Sequence, residues 1–149
     1  MIDGVVITPL KRIGDERGMV LHMLRRDWDV FENFGEIYFS MINPRVVKGW
    51  KKHLKMNQHF AVPVGNVRLV IYDDRDDSSS RGETDVLNLG IDHYQLVRVP
   101  PLVWYALGAL GDQQALVANC TDLPHDPQET LTADLDDPRV PYDWKLELT

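Results

Sequence analysis

The stretch 46–75, VVKGWKKHLKMNQHFAVPVGNVRLVIYDDR, contains two strand-length apolar runs, 59–64 and 66–73, joined by Val64-Gly65-Asn66. Short β-branched runs separated by a glycine turn read as consecutive antiparallel strands. Ahead of them lies a strand-like basic segment in which Arg45, Lys48, Lys51, Lys52 and Lys55 stand close to His53 and His59. The chain has a formal net charge of -7, so this cluster is a local focus of positive potential and reads as an anion site.

Working outward, similar runs recur at 5–10, 19–24, 36–42, 84–89, 94–99, 103–110 and 115–120. Turn signals separate them at Gly14-Asp15-Glu16-Arg17-Gly18, at 73–82, at Gly90-Ile91-Asp92 and at Gly111-Asp112. One short helix is predicted over 28–34, with Asp27 as its cap, Gly35 as its stop and Trp28, Phe31 and Phe34 on one face. The polar run DDRDDSSSR at 73–81 reads as a solvated, mobile turn. From about Thr121 the composition turns to Pro, Asp and Glu, which suits an irregular tail wrapped over the barrel or over a neighbouring subunit. Many short strands at regular spacing favour closed or double-sheet architectures, which leave few open edges. The expected fold is all-β: a cupin-type jelly-roll barrel with one short helix and an irregular C-terminal tail, in a single domain spanning 1–149.

Length and composition agree with one core, since the chain has 149 residues and is 44% hydrophobic. The N-terminus lacks a basic segment followed by an apolar stretch, and no window approaches the roughly 18 apolar residues of a membrane span. A cytoplasmic protein with no membrane partner is expected. The acidic balance, with no aromatic platform among the basic residues beyond Trp50, argues against nucleic acid. Cys120 is the only cysteine, which excludes an intramolecular disulfide and a cysteine-based zinc site.

Strand parity divides the basic segment. Lys51, His53 and Lys55 share one face, and Trp50, Lys52 and Leu54 the other. A polar anion pocket would be lined by Lys51 and His53, although lysines also suit an edge strand, where charge discourages pairing. Gly49 beside Trp50 marks a bulge or a close backbone approach. A metal-dependent cupin would place a histidine at Lys51 and another in the later segment occupied by Tyr105, and no carboxylate lies between Lys48 and Val70. Protonated lysine offers no lone pair and amides are poor ligands for borderline metals, so neither a metal nor another cofactor is expected.

The order Asp15-Glu16-Arg17-Gly18, Val47-Lys48-Gly49-Trp50, Val64-Gly65-Asn66-Val67 leading to Tyr72-Asp73-Asp74-Arg75, Val99-Pro100-Pro101 leading to Tyr105, and Asp137-Pro138 with Tyr142-Asp143-Trp144 resembles the dTDP-4-dehydrorhamnose 3,5-epimerase family over nearly the whole chain. The resemblance implies a dimeric cupin acting on a nucleoside-diphosphate-linked 4-keto-6-deoxy sugar. It implies that Arg17 and Lys48 face the diphosphate. It also implies that Lys51 stands where the family keeps its catalytic histidine, with Asp137 as the paired aspartate and Asn119 in place of the tyrosine acid. His22 replaces a glutamate near the nucleotide, and Trp50, His22, Gln58 and Asn119 are expected to contact the substrate along with Arg17 and Lys48.

Epimerisation beside a ketone needs a base, stabilisation of the enolate and an acid on the opposite face. An ordinary lysine, with a pKa of about 10.4, is not a base at neutral pH unless neighbouring cations such as Lys52 and Lys55 or burial lower it. Protonated, Lys51 would stabilise an enolate. His53 is the best remaining candidate base and Tyr105 the candidate acid. The leading expectation is therefore an epimerase or isomerase of a nucleotide-linked keto sugar. The alternatives are a cupin that runs another cofactor-free reaction on an anionic carbonyl compound, and a non-catalytic sugar-nucleotide binding protein.

Overall fold

The computed structural model describes residues 1–144. Among them the strands follow in order as β1 (Val6–Pro9), β2 (Arg12–Asp15), β3 (Gly18–Leu21), β4 (Glu36–Ile42), β5 (Val47–His53) and β6 (Gln58–Val64). They continue as β7 (Asn66–Tyr72), β8 (Thr84–Gly90), β9 (Gln95–Val99), β10 (Trp104–Leu110), β11 (Ala115–Thr121) and β12 (Thr130–Thr132). Two five-stranded sheets form, with orders β1-β9-β6-β11-β4 and β12-β5-β10-β7-β8, while β2 and β3 make a separate hairpin. All these ladders are antiparallel, and the chain crosses repeatedly between the sheets, as a jelly roll requires.

Alternate residues carry the core. Phe60 and Val62 of β6, Val67, Leu69 and Ile71 of β7, and Tyr105, Leu107 and Ala109 of β10 meet between the sheets. Each fully buried Val, Leu or Phe contributes about 1.5–3 kcal/mol, and a one-residue slip would turn the whole set outward, so burial fixes the register. The β6–β7 turn depends on Gly65, whose φ is +78 and whose missing Cβ would lie 2.7 Å from the Ala115 Cα.

The predicted helix at 28–34 is absent. Its residues run through turns closed by Trp28 N–H to Arg25 O and Phe31 N–H to Trp28 O, and the Asp27 carboxylate pairs with Arg25 instead of capping. Seven residues make a marginal helix, and here packing decides otherwise. Trp28 and Val30 cover Leu10, Ala61, Tyr94 and Leu96 on the outer side of the first sheet, while Phe34 is 65% exposed. Gly35 presses directly on the backbone of Leu123 and donates its N–H to Thr121 O. The described helical element is a single 3-10 turn, Pro127–Glu129.

The tail wraps its own barrel. β12 pairs with β5, and Val140, Tyr142 and Trp144 cover Trp50, Val70, Trp104 and Ala106 on the outer face of the second sheet. The run after β7 is tightly bonded, not merely solvated. Asp73 is fully buried and accepts hydrogen bonds from Arg75, Ser78 and Ser80. Burial alone would raise its carboxyl pKa, but these donors hold it well below the usual carboxylate range.

One irregularity positions the site. Along the β5–β10 ladder Lys52 faces Trp104 and Lys51 faces Tyr105, but the next partners are Lys48 and Leu107. Gly49 and Trp50 together therefore oppose Ala106 in a β-bulge. The bulge puts Lys48, Lys51 and His53 on the interior face despite their unequal spacing, and sends Trp50 outward.

Candidate active site

Register identifies the other interior groups. Asn119 lies opposite Phe60 on one side and Tyr38 on the other, and Phe60 packs against Tyr105 with ring centroids 5.3 Å apart. Ser40, two residues along from Tyr38, accepts a 2.7 Å hydrogen bond from Lys48 Nζ, which links the two sheets. The polar end of the interior is thus built from Tyr38, Ser40, Gln58 and Asn119 of the first sheet and Lys48, Lys51, His53 and Tyr105 of the second. Lys51 and Tyr38 are exposed at its mouth, whereas His53, Tyr105, Gln58 and Asn119 are buried.

The deepest groups form a relay. Glu129, at the end of the 3-10 turn, bonds His53 Nδ1 through one oxygen and accepts N–H groups from Leu54, Lys55 and Met56 at 3.1, 3.0 and 3.2 Å through the other. Burial pushes its pKa up, but the His53 contact and the backbone donors outweigh this and hold it below the usual glutamate value. An ionised Glu129 accepts only, so His53 Nδ1 faces it with a proton, and in the neutral imidazole Nε2 is then the ring's acceptor. Tyr105 lies 3.1 Å from that Nε2 and donates its O–H to it. Burial, reinforced by Tyr38 and Glu129, pushes the Tyr105 phenol far above its ordinary pKa, so it rests protonated. The carboxylate–imidazole–phenol chain can accept a proton at the phenol oxygen as the phenol's own proton moves to His53.

Six of the sequence-predicted residues meet on this face: Lys48, Lys51, His53, Gln58, Tyr105 and Asn119. Four do not. Trp50 packs outward, with its indole N–H toward Leu135 O. Asp137 pairs with Arg139 at 2.8 Å, which holds its carboxyl pKa down to about 2, and Arg139 stands over Trp104 on the outer face. The carboxylate beside the histidine is Glu129 instead. Arg17 sits at the exposed tip of the β2–β3 hairpin, 2.6 Å from Asp15, and His22 follows that hairpin, its N–H bonded to Lys11 O. Lys52, expected to tune Lys51, faces outward and pairs with Asp74 across the Trp104 ring. A surface hollow lined by Val6, Thr8, Lys11, Asp27, Trp28 and Arg98 lies outside the first sheet, away from the relay.

Sequence reading missed Glu129 and Tyr38. Asp126-Pro127 preceding Glu129 is a helix-start signal, and Asp126 does accept from Gln128 N–H, but nothing in it named His53 as a partner. Tyr38 was masked because the more apolar face of β4, carrying Ile37, Phe39 and Met41, points outward and is exposed.

Comparison with known proteins agrees with the fold. The family model described as dTDP-4-dehydrorhamnose 3,5-epimerase matches residues 1–149. A Haloferax volcanii protein named Probable low-salt glycan biosynthesis epimerase Agl13 is 38% identical over 156 residues, covering 99% of this chain and 97% of its own. The spore coat polysaccharide biosynthesis protein SpsL of Bacillus subtilis is 32% identical over 143 residues, covering 96% and 91%. The crystal structure of a dTDP sugar isomerase from Desulfovibrio desulfuricans G20 is 49% identical, with a TM-score of 0.94 over 96% of this chain and 92% of that one. The chain belongs to the dTDP-4-dehydrorhamnose 3,5-epimerase family.

Proposed function

We propose that the protein is an epimerase or isomerase of a nucleoside-diphosphate-linked 4-keto-6-deoxy sugar, and that it works by moving a proton on a carbon next to the keto group. The carrying observation is the Glu129–His53–Tyr105 relay, which opens onto the same interior face as the cations Lys48 and Lys51. In the first step the α C–H bond breaks and its proton passes to the Tyr105 oxygen, while the Tyr105 proton moves to His53 Nε2. The C–H electron pair becomes the enolate, and its oxyanion is stabilised by the Lys51 ammonium at the mouth. Glu129 stabilises the imidazolium so formed, as a buried carboxylate does in serine-hydrolase triads. Lys48 contributes positive charge toward the diphosphate.

A homodimer fits the surface. The β2–β3 hairpin has no sheet partner within the described chain and exposes Ile13, Met19 and Val20, while the edge strand β4 exposes Ile37, Phe39 and Met41. An isolated hairpin and an open apolar edge are both stabilised by a second copy. Light scattering should give a dimer mass, and a monomer at working concentration would contradict it.

The activity is tested by incubating the protein with dTDP-linked 4-keto-6-deoxyglucose in heavy water. Deuterium should enter at the carbons flanking the carbonyl. Binding without any incorporation would rule the reading out.

A further inference from the structure

The relay supplies one proton station. Tyr105 has a single O–H, and it points at His53 Nε2, so Glu129, His53 and Tyr105 act together from the second sheet. Inverting a carbon requires a proton to return on the opposite face, and therefore a second donor across the interior. Lys48 is engaged with Ser40, and Lys51 stands beside Tyr105 on the same sheet. On the first sheet the described candidate is Tyr38, the register partner of Asn119.

The hydrogen bonds of Asn119 decide how Tyr38 is oriented. Asn119 is 1% exposed and its amide is fully committed. Its Oδ1 accepts His59 N–H at 3.1 Å, and its Nδ2 donates to Tyr38 Oη at 2.8 Å and to Gln58 Oε1 at 2.5 Å. Asn119 therefore has no N–H left to donate to a substrate. Tyr38 Oη, already receiving a hydrogen bond from an N–H, must send its own proton elsewhere, and at 39% exposure the ring reaches the mouth. Gln58 Nε2, buried on the same face, has no hydrogen-bond partner among the described residues. A buried amide donor without an acceptor costs about 1–3 kcal/mol, which a ligand oxygen on this face would relieve. Tyr38 is also kept neutral. Burial raises its pKa, and Glu36 adds to this against the opposing Asn119 bond.

We propose that Tyr38 is the second proton-transfer group of this site, donating to the substrate from the sheet opposite Tyr105, with Asn119 as its positioning residue. The inference rests on the epimerase reading and specifies its second half. The Tyr38 O–H bond breaks and leaves its pair on the phenolate oxygen, the enolate C=C pair takes the proton to form a C–H bond on the face opposite the one deprotonated, and the oxyanion lone pair re-forms the carbonyl. Tyr38 is left as phenolate and His53 as imidazolium; water at the mouth supplies one proton and removes the other, so the cycle closes without a co-reactant.

The test is Tyr38→Phe, followed by NMR with dTDP-linked 4-keto-6-deoxyglucose in heavy water. Deuterium exchange by the variant should stay within about tenfold of wild type, while inverted product falls by about 100-fold or more. Asn119→Asp should give the same split, because a carboxylate at 119 would accept the Tyr38 proton and turn it from the substrate. A merely structural role would lower exchange and inversion together. Inversion by Tyr38→Phe at the wild-type rate overturns the proposal and leaves the epimerase reading standing. Wild-type protein that neither exchanges nor inverts the sugar overturns both.

Discussion

Glu129→Gln is expected to lower turnover by roughly 10³ to 10⁴, the range seen when the orienting carboxylate of a hydrolase triad becomes an amide. The carboxylate accepts on both sides, from His53 Nδ1 and from three backbone N–H groups. Glutamine can accept on only one. If its oxygen keeps the backbone donors, its NH₂ faces His53 and moves the imidazole proton to Nε2, where the Tyr105 O–H needs a lone pair. Stability should fall by about 1–3 kcal/mol, the cost of a buried polar group left unpaired. The pH dependence follows from the depressed pKa of Glu129. Its stabilisation is complete above the ordinary glutamate value of 4.5 and is lost as pH falls through the lower folded value. Denaturation midpoints of wild type and variant should therefore differ most near neutrality and converge below about 4.5. A constant gap down to strongly acidic pH would show that Glu129 is not the ionised member of the pair.

His53→Gln is expected to reduce deuterium exchange by about 10² to 10⁴. The substitution removes the lone pair that receives the Tyr105 proton, while glutamine still has an amide donor to offer Glu129. That separates the loss of the base from the larger penalty of stranding a buried carboxylate, about 3–5 kcal/mol, which His53→Ala would add. Nucleotide affinity should change little, because His53 lies with the relay and not with Lys48. Circular dichroism and dTDP binding, measured on the same preparation, check that the fold and the anion site survive.

Much of the architecture was legible in the chain because burial on one face imposes period two, and the runs at 36–42, 59–64 and 66–73 became β4, β6 and β7 with shifts of at most one residue. Gly49 correctly signalled the bulge, but parity alone could not show that the bulge would bring Lys48 onto the face of Lys51. The 28–34 segment misled because three aromatics at helical spacing also arise in a loop whose Trp28 packs on a sheet. In the site, the sequence offered His53 and Tyr105 separately, as candidate base and candidate acid, and the structure sets them 3.1 Å apart on adjacent strands. It could not supply Glu129, which reaches His53 from 76 residues away through the short β12 pairing. Asp137 failed as the partner because Arg139, two residues on, satisfies it locally. Trp50 failed because the bulge turns it toward the aromatic cluster beneath the tail.

The central claim is that the base is His53 acting through Tyr105, and not Lys51. Deuterium incorporation into dTDP-linked 4-keto-6-deoxyglucose by Lys51→Arg beside His53→Gln tests it most directly. Arginine keeps the cation that stabilises the enolate but cannot be deprotonated in a protein. The relay predicts that Lys51→Arg exchanges within about tenfold of wild type while His53→Gln loses 10² or more. An inactive Lys51→Arg beside an active His53→Gln would contradict it and assign the proton abstraction to Lys51.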